Sequence, residues 1–436
     1  MSIPVKRNTL ERALLVTMIG DDLILTYDDP DLTARREELA RLVDTAGGVP
    51  VGEITQYRRR PDPRTFVGKG KVEEIAEAIE ELAVELVVFN HELSPGQQKN
   101  LEDSLGTRII DRTRLILDIF AQRARSREGK LQVELAQLTY FLPRLTGRGE
   151  ELSRLAGGIG TRGPGETKLE ADRRRVRRRM TDLRREIAQI RAHRQLLRDR
   201  RRQDGVPVFA LVGYTNAGKS TLLNRLTDSE QGAEDKLFAT LDPAIRKASL
   251  PSGLDVYLVD TVGFVRDLPT QLMAAFRATL EEVVEADFLV HVVDASHSDW
   301  IEQVAAVEDV LAGMGVSTDG AITALNKVDR MEYPLAEVDT RELPRPVRVS
   351  ALSGRGVREL LDLMDDVVRA VRLRCEFIVP YSMMDLLDEI HGHGEMHGEK
   401  YLEEGVRLDV TLPASMADRI RSKLESNSGK GGNECT

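Results

Sequence analysis

The sequence has 436 residues, too many for one ordinary hydrophobic core, so we expect two to four domains. It is 41% hydrophobic and 31% charged, and no apolar run reaches the roughly 18 residues of a transmembrane helix. The N-terminal residues lack the pattern of a secretory signal, and Cys375 and Cys435 are the only cysteines. We therefore expect a cytoplasmic protein with neither an integral membrane segment nor a disulfide scaffold.

Residues 1–125 alternate short apolar strands with helical stretches. The predicted strands cover 13–19, 49–56, 86–89 and 107–110, and the predicted helices cover 32–46, 70–83, 95–105 and 112–124. This alternation predicts a small parallel sheet with right-handed crossovers. The turn 68–71 (Gly-Lys-Gly-Lys) opens one helix, where free amides suit an anion, although an ordinary glycine turn is the simpler interpretation.

Residues 126–204 carry two apolar stripes with a seven-residue pattern, which predicts two long helices packed antiparallel as a hairpin. The second helix should be on the order of 50 Å long. The first stripe comprises Leu131, Leu135, Leu138, Leu142 and Leu145, and the second comprises Leu169, Val176, Met180, Leu183, Ile187, Ile190 and Leu197.

The segment between these helices, 157–165, contains a formal G-x-G-x-x-G at Gly158, Gly160 and Gly163. A dinucleotide-binding fingerprint needs a strand before it and a helix directly after it. Here a leucine-rich helix precedes the glycines and Pro164 follows them. We therefore reject a dinucleotide site and predict a flexible tip between the two helices.

A phosphate-binding motif, G-x-x-x-x-G-K-S, follows a predicted buried strand at 206–212 and precedes a predicted helix at 221–226. The glycines let the main chain wrap the phosphates, Lys219 neutralises β- and γ-phosphate charge, and the Ser220 hydroxyl ligates Mg²⁺. The helix dipole adds to the attraction for an anion. The predicted phosphate-binding residues are Gly213, Tyr214, Thr215, Asn216, Ala217, Gly218, Lys219 and Ser220.

Three further motifs follow predicted apolar strands in the order typical of a GTPase. Asp260 can hold Mg²⁺ through water, and the Gly263 N–H can sense the γ-phosphate. The Asp329 carboxylate matches the paired N–H donors of guanine, which adenine lacks, and residues 350–352 resemble the loop that caps guanine. The predicted contacts are Asp260, Thr261, Val262, Gly263, Asn326, Lys327, Val328, Asp329, Ser350, Ala351 and Leu352.

A switch threonine is expected between the phosphate loop and Asp260. We predict that Thr240 gives Mg²⁺ its second hydroxyl, so that Ser220 and Thr240 are the direct metal ligands. The alternatives are Thr221, Thr227 and Thr261. Predicted nucleotide contacts in this segment are Phe238, Ala239, Thr240, Leu241 and Asp242, and the predicted catalytic set is Lys219, Thr240 and Gly263.

Two residues bear on the mechanism of hydrolysis. Phe264 stands where many GTPases have a glutamine that orients the attacking water, and a phenyl ring cannot do so. This predicts slow intrinsic hydrolysis, with the water positioned by main chain, another residue or a partner. Asn216 resembles the asparagine of GTPases that recruit K⁺, but an asparagine that tolerates a tight turn is an equal alternative.

With these motifs the sequence resembles the HflX family of translational GTPases over nearly its whole length. The resemblance rests on segments 213–220 and 238–243, on the glycine loop 157–165 with Glu166-Thr167-Lys168-Leu169-Glu170, and on Asn90-His91-Glu92-Leu93-Ser94-Pro95. The glycine loop between helices is the most specific mark, because generic GTPases lack it. Membership implies binding to the large ribosomal subunit near the peptidyl-transferase region, splitting of stalled ribosomes, and GTP hydrolysis stimulated by that subunit.

The segment 144–202 offers a surface suited to ribosomal RNA, although the whole chain has a net charge of -10. It holds nineteen Arg and Lys against eight Asp and Glu, including arginine triplets at 173–175 and 177–179. The alternative is a solvated helix with intrahelical ion pairs, but these cannot neutralise the positive excess. We therefore favour RNA binding here.

The C-terminal residues predict a small α+β domain, with a strand at 376–379, a helix at 383–390, a strand pair, a helix at 414–424 and a disordered tail at 426–436. His391, His393 and His397 lack a cysteine or a clear outer shell, so we disfavour a metal site. The predicted fold class is α/β. It comprises an N-terminal parallel α/β domain (1–125), an antiparallel helical hairpin (126–204), a P-loop GTPase domain (205–372) and the α+β domain (373–436).

The functional hypothesis is a monomeric, Mg²⁺-dependent GTPase that associates with the large ribosomal subunit and its ribosomal RNA. Two alternatives stay open from the sequence. One is a GTP-regulated protein that binds structured RNA and does not act on ribosomes. The other is an ATP-using RNA-remodelling factor with a second nucleotide site in residues 1–125.

Overall fold

The computed structural model describes residues 10–20, 30–145, 164–203, 205–227, 237–238, 244–266, 280–331 and 340–427. In this part of the chain the strands form sheets of four, six and three strands. None of the helices in these ranges is long and apolar enough to cross a membrane.

The N-terminal sheet is parallel, with strand order β2-β1-β3-β4. Along β1, Leu14 and Val16 belong to one hydrophobic cluster, whereas Ala13 and Leu15 belong to another. Both faces of this strand are buried, which explains its continuous apolar sequence and confirms the predicted parallel α/β arrangement. The elements are β1 (Glu11–Ile19), α1 (Pro30–Ala46), β2 (Gly48–Tyr57), α2 (Lys69–Glu81), β3 (Leu86–Phe89), α3 (Pro95–Leu105), β4 (Arg108–Asp111) and α4 (Arg112–Arg123).

The hairpin consists of α5 (Arg127–Arg144) and α6 (Pro164–Gln203). Glu134 pairs with Arg179 at 2.7 Å, and the earlier Glu128 pairs with the later Arg194, so the helices run antiparallel as predicted. The seam between them contains the predicted apolar stripes, with Leu131, Leu183 and Ile187 at its centre. At 40 residues α6 is ~60 Å long, somewhat longer than expected. Residues 157–163 of the glycine loop lie outside the described residues.

Asp111 joins the hairpin to the N-terminal sheet. This fully buried carboxylate caps α4 by accepting from Arg114 N at 2.8 Å. It also accepts from Tyr140 Oη at 2.9 Å and from the Arg144 guanidinium at 3.1 Å, both on α5. The position of α5 is therefore set by buried, charge-assisted hydrogen bonds rather than by the connecting turn alone.

The central sheet has the order β10-β9-β8-β5-β7-β6, with β6 antiparallel and the other pairs parallel. Its predicted strands are confirmed, whereas sequence reasoning left 244–249, now β6, unassigned. The elements are β5 (Val208–Val212), α7 (Lys219–Leu226), β6 (Ala244–Ser249), β7 (Asp255–Asp260), β8 (Phe288–Asp294), α8 (Trp300–Gly313), β9 (Ile322–Asn326), β10 (Pro346–Arg348) and α9 (Val357–Ala370).

The C-terminal sheet is antiparallel, with order β11-β13-β12 and two helices, which confirms the α+β prediction. Its first strand begins earlier than expected, and its last helix extends to Asn427, into the predicted tail. The elements are β11 (Arg372–Val379), a 3₁₀ turn (Tyr381–Met383), α10 (Met384–His393), β12 (Glu395–Leu402), β13 (Gly405–Pro413) and α11 (Ala414–Asn427).

One hydrophobic cluster contains residues of both the N-terminal and the GTPase regions. The Phe120 ring on α4 lies edge-to-face with that of Phe238, their centroids 4.7 Å apart. Leu39 of α1 belongs to the same cluster, as do Phe264 and Val265, which follow the Asp260 motif. The N-terminal region therefore packs on residues that the sequence predicts to respond to nucleotide. The domain boundaries near 125, 204 and 372 stay predictions.

Candidate nucleotide-binding site

The loop between β5 and α7 has backbone conformations that only glycine adopts easily. Gly218 has φ +94°, and a Cβ added to it would lie 2.3 Å from Asn326 Nδ2. At Gly213 a Cβ would lie 2.1 Å from the Val292 carbonyl oxygen. No side chain caps α7, so the N–H groups of its first turn suit phosphate oxygens. The predicted loop residues thus form a cradle that fits a nucleotide phosphate chain.

Lys219 is buried at the centre of this loop. Its ammonium donates to the carbonyl oxygens of Gly213 at 2.9 Å and Tyr214 at 2.8 Å. Burial lowers the pKa of Lys219 to about 8, and the nearby Lys327 charge lowers it further, against the opposing effect of Asp260. A phosphate would reverse that shift, because an anion favours the protonated ammonium. The lysine is therefore an anion ligand whose charge depends on its occupant.

Ser220 and Asp260 meet where a GTPase holds Mg²⁺. The Ser220 hydroxyl donates to Asp260 Oδ2 at 2.6 Å, and Asp260 is almost fully buried at the end of β7. A hydroxyl and a carboxylate so placed fit the oxygen ligands that Mg²⁺ prefers, with Asp260 acting through water as predicted. The ion would neutralise charge on the β- and γ-phosphates. Thr240, the predicted second ligand, lies outside the described residues, as do Ala239, Leu241 and Asp242.

Two of the three alternative switch threonines already donate to main-chain carbonyl oxygens. The Thr261 hydroxyl donates to Leu211 O at 2.7 Å, and the Thr227 hydroxyl donates to Leu223 O at 2.8 Å. Phe238, at the start of the predicted switch segment, has a buried ring packed on Phe120. Thr240 stays our prediction for the second magnesium ligand.

The residues after Asp260 lie directly on the phosphate loop. Thr215 N donates to Phe264 O at 2.7 Å, and Phe264 N donates to Gly213 O at 3.1 Å. A Cβ on Gly263 would lie 2.7 Å from Thr215 Cα and 3.0 Å from Lys219 Nζ, so glycine is required there. The Phe264 ring is buried in the hydrophobic cluster, as expected of a side chain that does not orient water.

The predicted guanine-recognition residues surround the other end of the loop. Asn326 Nδ2 donates to Ala217 O at 2.8 Å, and its Oδ1 accepts from Ala351 N at 2.9 Å. Asn326 therefore connects the phosphate loop with the loop at 350–352. Val328 and Ser350 are buried, whereas Asp329 and Leu352 are exposed. The exposed Asp329 carboxylate is accessible to the edge of a base.

Sequence reasoning missed two side chains that hold this base-binding end. Asp294 pairs with the Lys327 ammonium at 2.7 Å. Arg225 on α7 donates to the carbonyl oxygens of Ala351 at 3.2 Å and Leu352 at 2.5 Å. The only signal for Asp294 was its position at the end of a strand beside the phosphate loop, and Arg225 had none.

A third missed residue, Glu38, comes from helix α1. The Tyr214 hydroxyl donates to the Glu38 carboxylate and accepts from Arg266 N at 2.8 Å. Burial first, and then the Glu38 charge, raises the pKa of Tyr214 well above 10, so the hydroxyl stays a donor. The neighbouring Asn216 has φ +61°, which fits an asparagine in a tight turn. K⁺ binding at Asn216 stays a hypothesis.

The other sequence signals show ordinary contacts. At the 68–71 turn, Gly68 N donates to Gln56 Oε1 at 2.9 Å, and Lys71 pairs with Glu74. His391 lies 3.0 Å from Glu399, and His397 lies 2.8 Å from the Thr411 hydroxyl. In the described ranges no group of three His, Cys, Asp or Glu side chains is arranged to hold a metal ion.

Three family models match successive parts of the chain. They are described as GTP-binding GTPase N-terminal at 33–121, GTP-binding GTPase middle region at 123–201, and 50S ribosome-binding GTPase at 208–327. The chain is 46% identical to GTPase HflX of Lacrimispora saccharolytica, over 94% of this chain and 96% of that protein. It is 45% identical to GTPase HflX of Escherichia coli, over 76% of this chain and 78% of that protein.

A solved structure, of a GTP-binding protein from Sulfolobus solfataricus in complex with GDP, is 25% identical and aligns over 82% of this chain and 98% of that chain. Its TM-score of 0.42 is too low to carry an argument. The sequence relatives are decisive instead, because they match across the phosphate loop and nearly the whole chain. The chain therefore belongs to the GTPase HflX family, and it is a GTPase.

Proposed function

We propose that this GTPase is a cytoplasmic, monomeric factor that binds the large ribosomal subunit through its ribosomal RNA and splits or rescues stalled ribosomes. The single observation that carries the proposal is a GTP site joined to an arginine-rich helix within one chain. The family-model description of a 50S ribosome-binding GTPase, which covers 208–327, supports the same partner.

The RNA-binding surface would be the outer side of α6. Arg174, Arg175, Arg177 and Arg178 are exposed there. Asp172 approaches Arg175 only at 3.9 Å, and both side chains are substantially exposed, so this pair neutralises little charge. Arginines at this density suit the phosphates of structured RNA, and their planar guanidinium groups also stack on bases.

The same helix contacts the GTPase domain near a segment that responds to nucleotide in GTPases. Arg191 pairs with Glu281 at 3.4 Å, and Arg194 lies 3.6 Å from Glu282. These glutamates belong to a short helical segment at 280–284 that follows the Asp260 motif in sequence. RNA bound along α6 would therefore act on a helix that already touches the GTPase domain.

The chemical roles follow from the site geometry. Lys219 and the loop amides bind the phosphates, Ser220 and Thr240 ligate Mg²⁺, and Gly263 N–H contacts the γ-phosphate. Water attacks that phosphate and releases GDP and phosphate. Because Phe264 is buried, we propose that main chain or the ribosomal partner positions the water, which makes hydrolysis slow until the partner binds.

Sedimentation with isolated ribosomal subunits tests the proposal. The protein should pellet with large subunits when a non-hydrolysable GTP analogue is bound, pellet less with GDP, and show faster GTP hydrolysis in their presence. Arg177→Ala with Arg178→Ala should weaken binding and flatten its salt dependence by about one logarithmic unit per lost phosphate contact. Arg358→Ala with Lys247→Ala removes the same charge from the GTPase domain and should leave both unchanged.

The second candidate is a binder of structured RNA that does not act on ribosomes, and the arginine excess alone fits it equally. Equal binding to protein-free ribosomal RNA and to subunits, with an unchanged hydrolysis rate at low salt, would replace our proposal with this candidate.

A further inference from the structure

The N-terminal region reaches the phosphate loop through a chain of buried polar groups. Glu38 on α1 accepts the Tyr214 hydroxyl through one carboxylate oxygen and the Arg112 guanidinium through the other. Arg112 also donates to Asn90 Oδ1 at 2.9 Å. The side chains of Arg112 and Glu38 are 7% and 12% exposed, so their charges interact with little screening by water.

This chain of contacts ends on one peptide beyond the Asp260 motif. Arg266 N–H donates to the Tyr214 hydroxyl at 2.8 Å, and Arg112 donates to Arg266 O at 3.1 Å. Two residues earlier, the N–H and carbonyl of Phe264 are both bonded to the phosphate loop. The main chain at 264 and at 266 is thus held on both of its polar groups, half of them by the N-terminal region or by Tyr214.

The position that results brings Gly263 very close to the catalytic lysine. A Cβ on Gly263 would lie 3.0 Å from Lys219 Nζ, which is the atom that neutralises β- and γ-phosphate charge. A γ-phosphate oxygen bound to Lys219 needs space on the side where Gly263 lies. The main chain at 263–266 must therefore shift when a triphosphate binds, whereas a diphosphate requires no such shift.

We propose that Glu38 and Arg112, acting through Tyr214 and the Arg266 peptide, set how strongly the site discriminates between GTP and GDP. They are positioning residues and touch no nucleotide atom. Their bonds stabilise the position of 263–266 that suits GDP, so part of the γ-phosphate binding energy is spent on breaking them. Because coupling is reciprocal, GTP weakens the contact between α1 and the phosphate loop to the same degree.

The test is the ratio of two dissociation constants, measured by calorimetry on the full chain with Mg²⁺, for GDP and for a non-hydrolysable GTP analogue. Tyr214→Phe removes one hydroxyl and keeps the ring. Glu38→Gln removes the charge and keeps the shape. Each should shift the ratio about five- to tenfold towards the triphosphate, within the usual range of coupling energies.

Tyr140→Phe is the matched control. Tyr140 is also buried in the shared hydrophobic cluster and also donates to a buried carboxylate, Asp111, but it touches neither the phosphate loop nor residues 263–266. It should lower the melting temperature and leave the ratio unchanged. Any loss of stability common to buried tyrosines is thereby separated from the effect on nucleotide discrimination.

The double variant Glu38→Gln/Tyr214→Phe sharpens the test, because residues acting through one link are not additive. It should shift the ratio no further than the larger single variant. An unchanged ratio in both single variants, a shift towards GDP, or an equal shift in Tyr140→Phe would each overturn the proposal. A variant that fails to unfold cooperatively is replaced by Arg112→Lys, for which the same shift is expected.

Discussion

The phosphate loop and its contact with α1 lie side by side but are built in different ways. The loop consists of eight consecutive residues, and its function depends on main-chain geometry at Gly213 and Gly218. The contact consists of side chains distant in sequence, since Glu38 and Tyr214 are 176 residues apart. Tyr214 belongs to both, through its backbone in one case and its hydroxyl in the other.

This difference separates two kinds of function. Main-chain geometry within a short segment creates the affinity for phosphate, and it depends little on the rest of the molecule. Side-chain bonds across a domain contact add little affinity, but they connect the site to another part of the chain. Variants of the loop should therefore alter binding of GDP and GTP alike, whereas variants of the contact should alter their ratio.

The largest expected effect is that of Lys219→Ala. Removing a buried ammonium from a phosphate site should weaken binding of both GDP and GTP by on the order of 10³-fold, equivalent to about 4 kcal/mol. Calorimetry measures this directly. The exposed Lys247, which pairs with Asp255 on the edge of the sheet, is the control, and Lys247→Ala should leave both affinities unchanged. Binding by Lys219→Ala within a few-fold of the original protein would contradict the assignment.

The same difference decides how much of the structure the sequence could predict. The loop, Asp260, Asn326 and the strands before them were predicted because each motif is contiguous and follows an apolar strand. The hairpin was predicted because its apolar stripes repeat every seven residues. Neither rule applies to Glu38 or Arg225, whose positions at the site depend on how separate elements pack.

Strand β6 and the shared cluster show the same limit in the fold. Residues 244–249 alternate between exposed and partly buried positions at a sheet edge, so their apolar signal is weak. The burial of Phe120 against Phe238 depends on packing between two regions, and neither sequence shows it alone. The placement of α1 on the phosphate loop could be found only from the three-dimensional structure.

The second prediction separates backbone strain from steric fit in the loop. Gly218→Ala places a methyl 2.3 Å from Asn326 Nδ2, at φ +94°. It should weaken GDP and GTP binding by roughly 10²-fold, about 3 kcal/mol, because Asn326 must move away from Ala217. Gly253 has a similar φ of +87° with nothing within 4 Å of an added Cβ.

Gly253→Ala therefore imposes backbone strain of about 1 kcal/mol and no clash. It should lower the melting temperature by a few degrees and leave both affinities unchanged. If Gly218→Ala bound nucleotide as well as Gly253→Ala does, the tight fit of the loop against Asn326 would not matter for binding.

The smallest effect is a pH dependence that reports Lys219 and not Tyr214. In the free protein the pKa of Lys219 is about 8, and bound phosphate raises it, so binding takes up a proton above that pH. Affinity for GDP should be constant below pH 8 and fall by up to about tenfold per pH unit above it. The pKa of Tyr214 is raised well above 10, so its hydroxyl does not contribute in this window.

Stability should change in the opposite direction, which excludes unfolding as the cause of the lost affinity. The unfolded chain binds the Lys219 proton up to its ordinary pKa of 10.5, whereas the folded protein releases it near 8, so this group favours folding increasingly as pH rises between them. Lys219→Arg cannot lose its charge, and its GDP affinity should be flat between about pH 7 and about pH 9. An equal fall in affinity for Lys219→Arg and the original protein would show that another group titrates, and the charge on Lys219 would then not control phosphate binding.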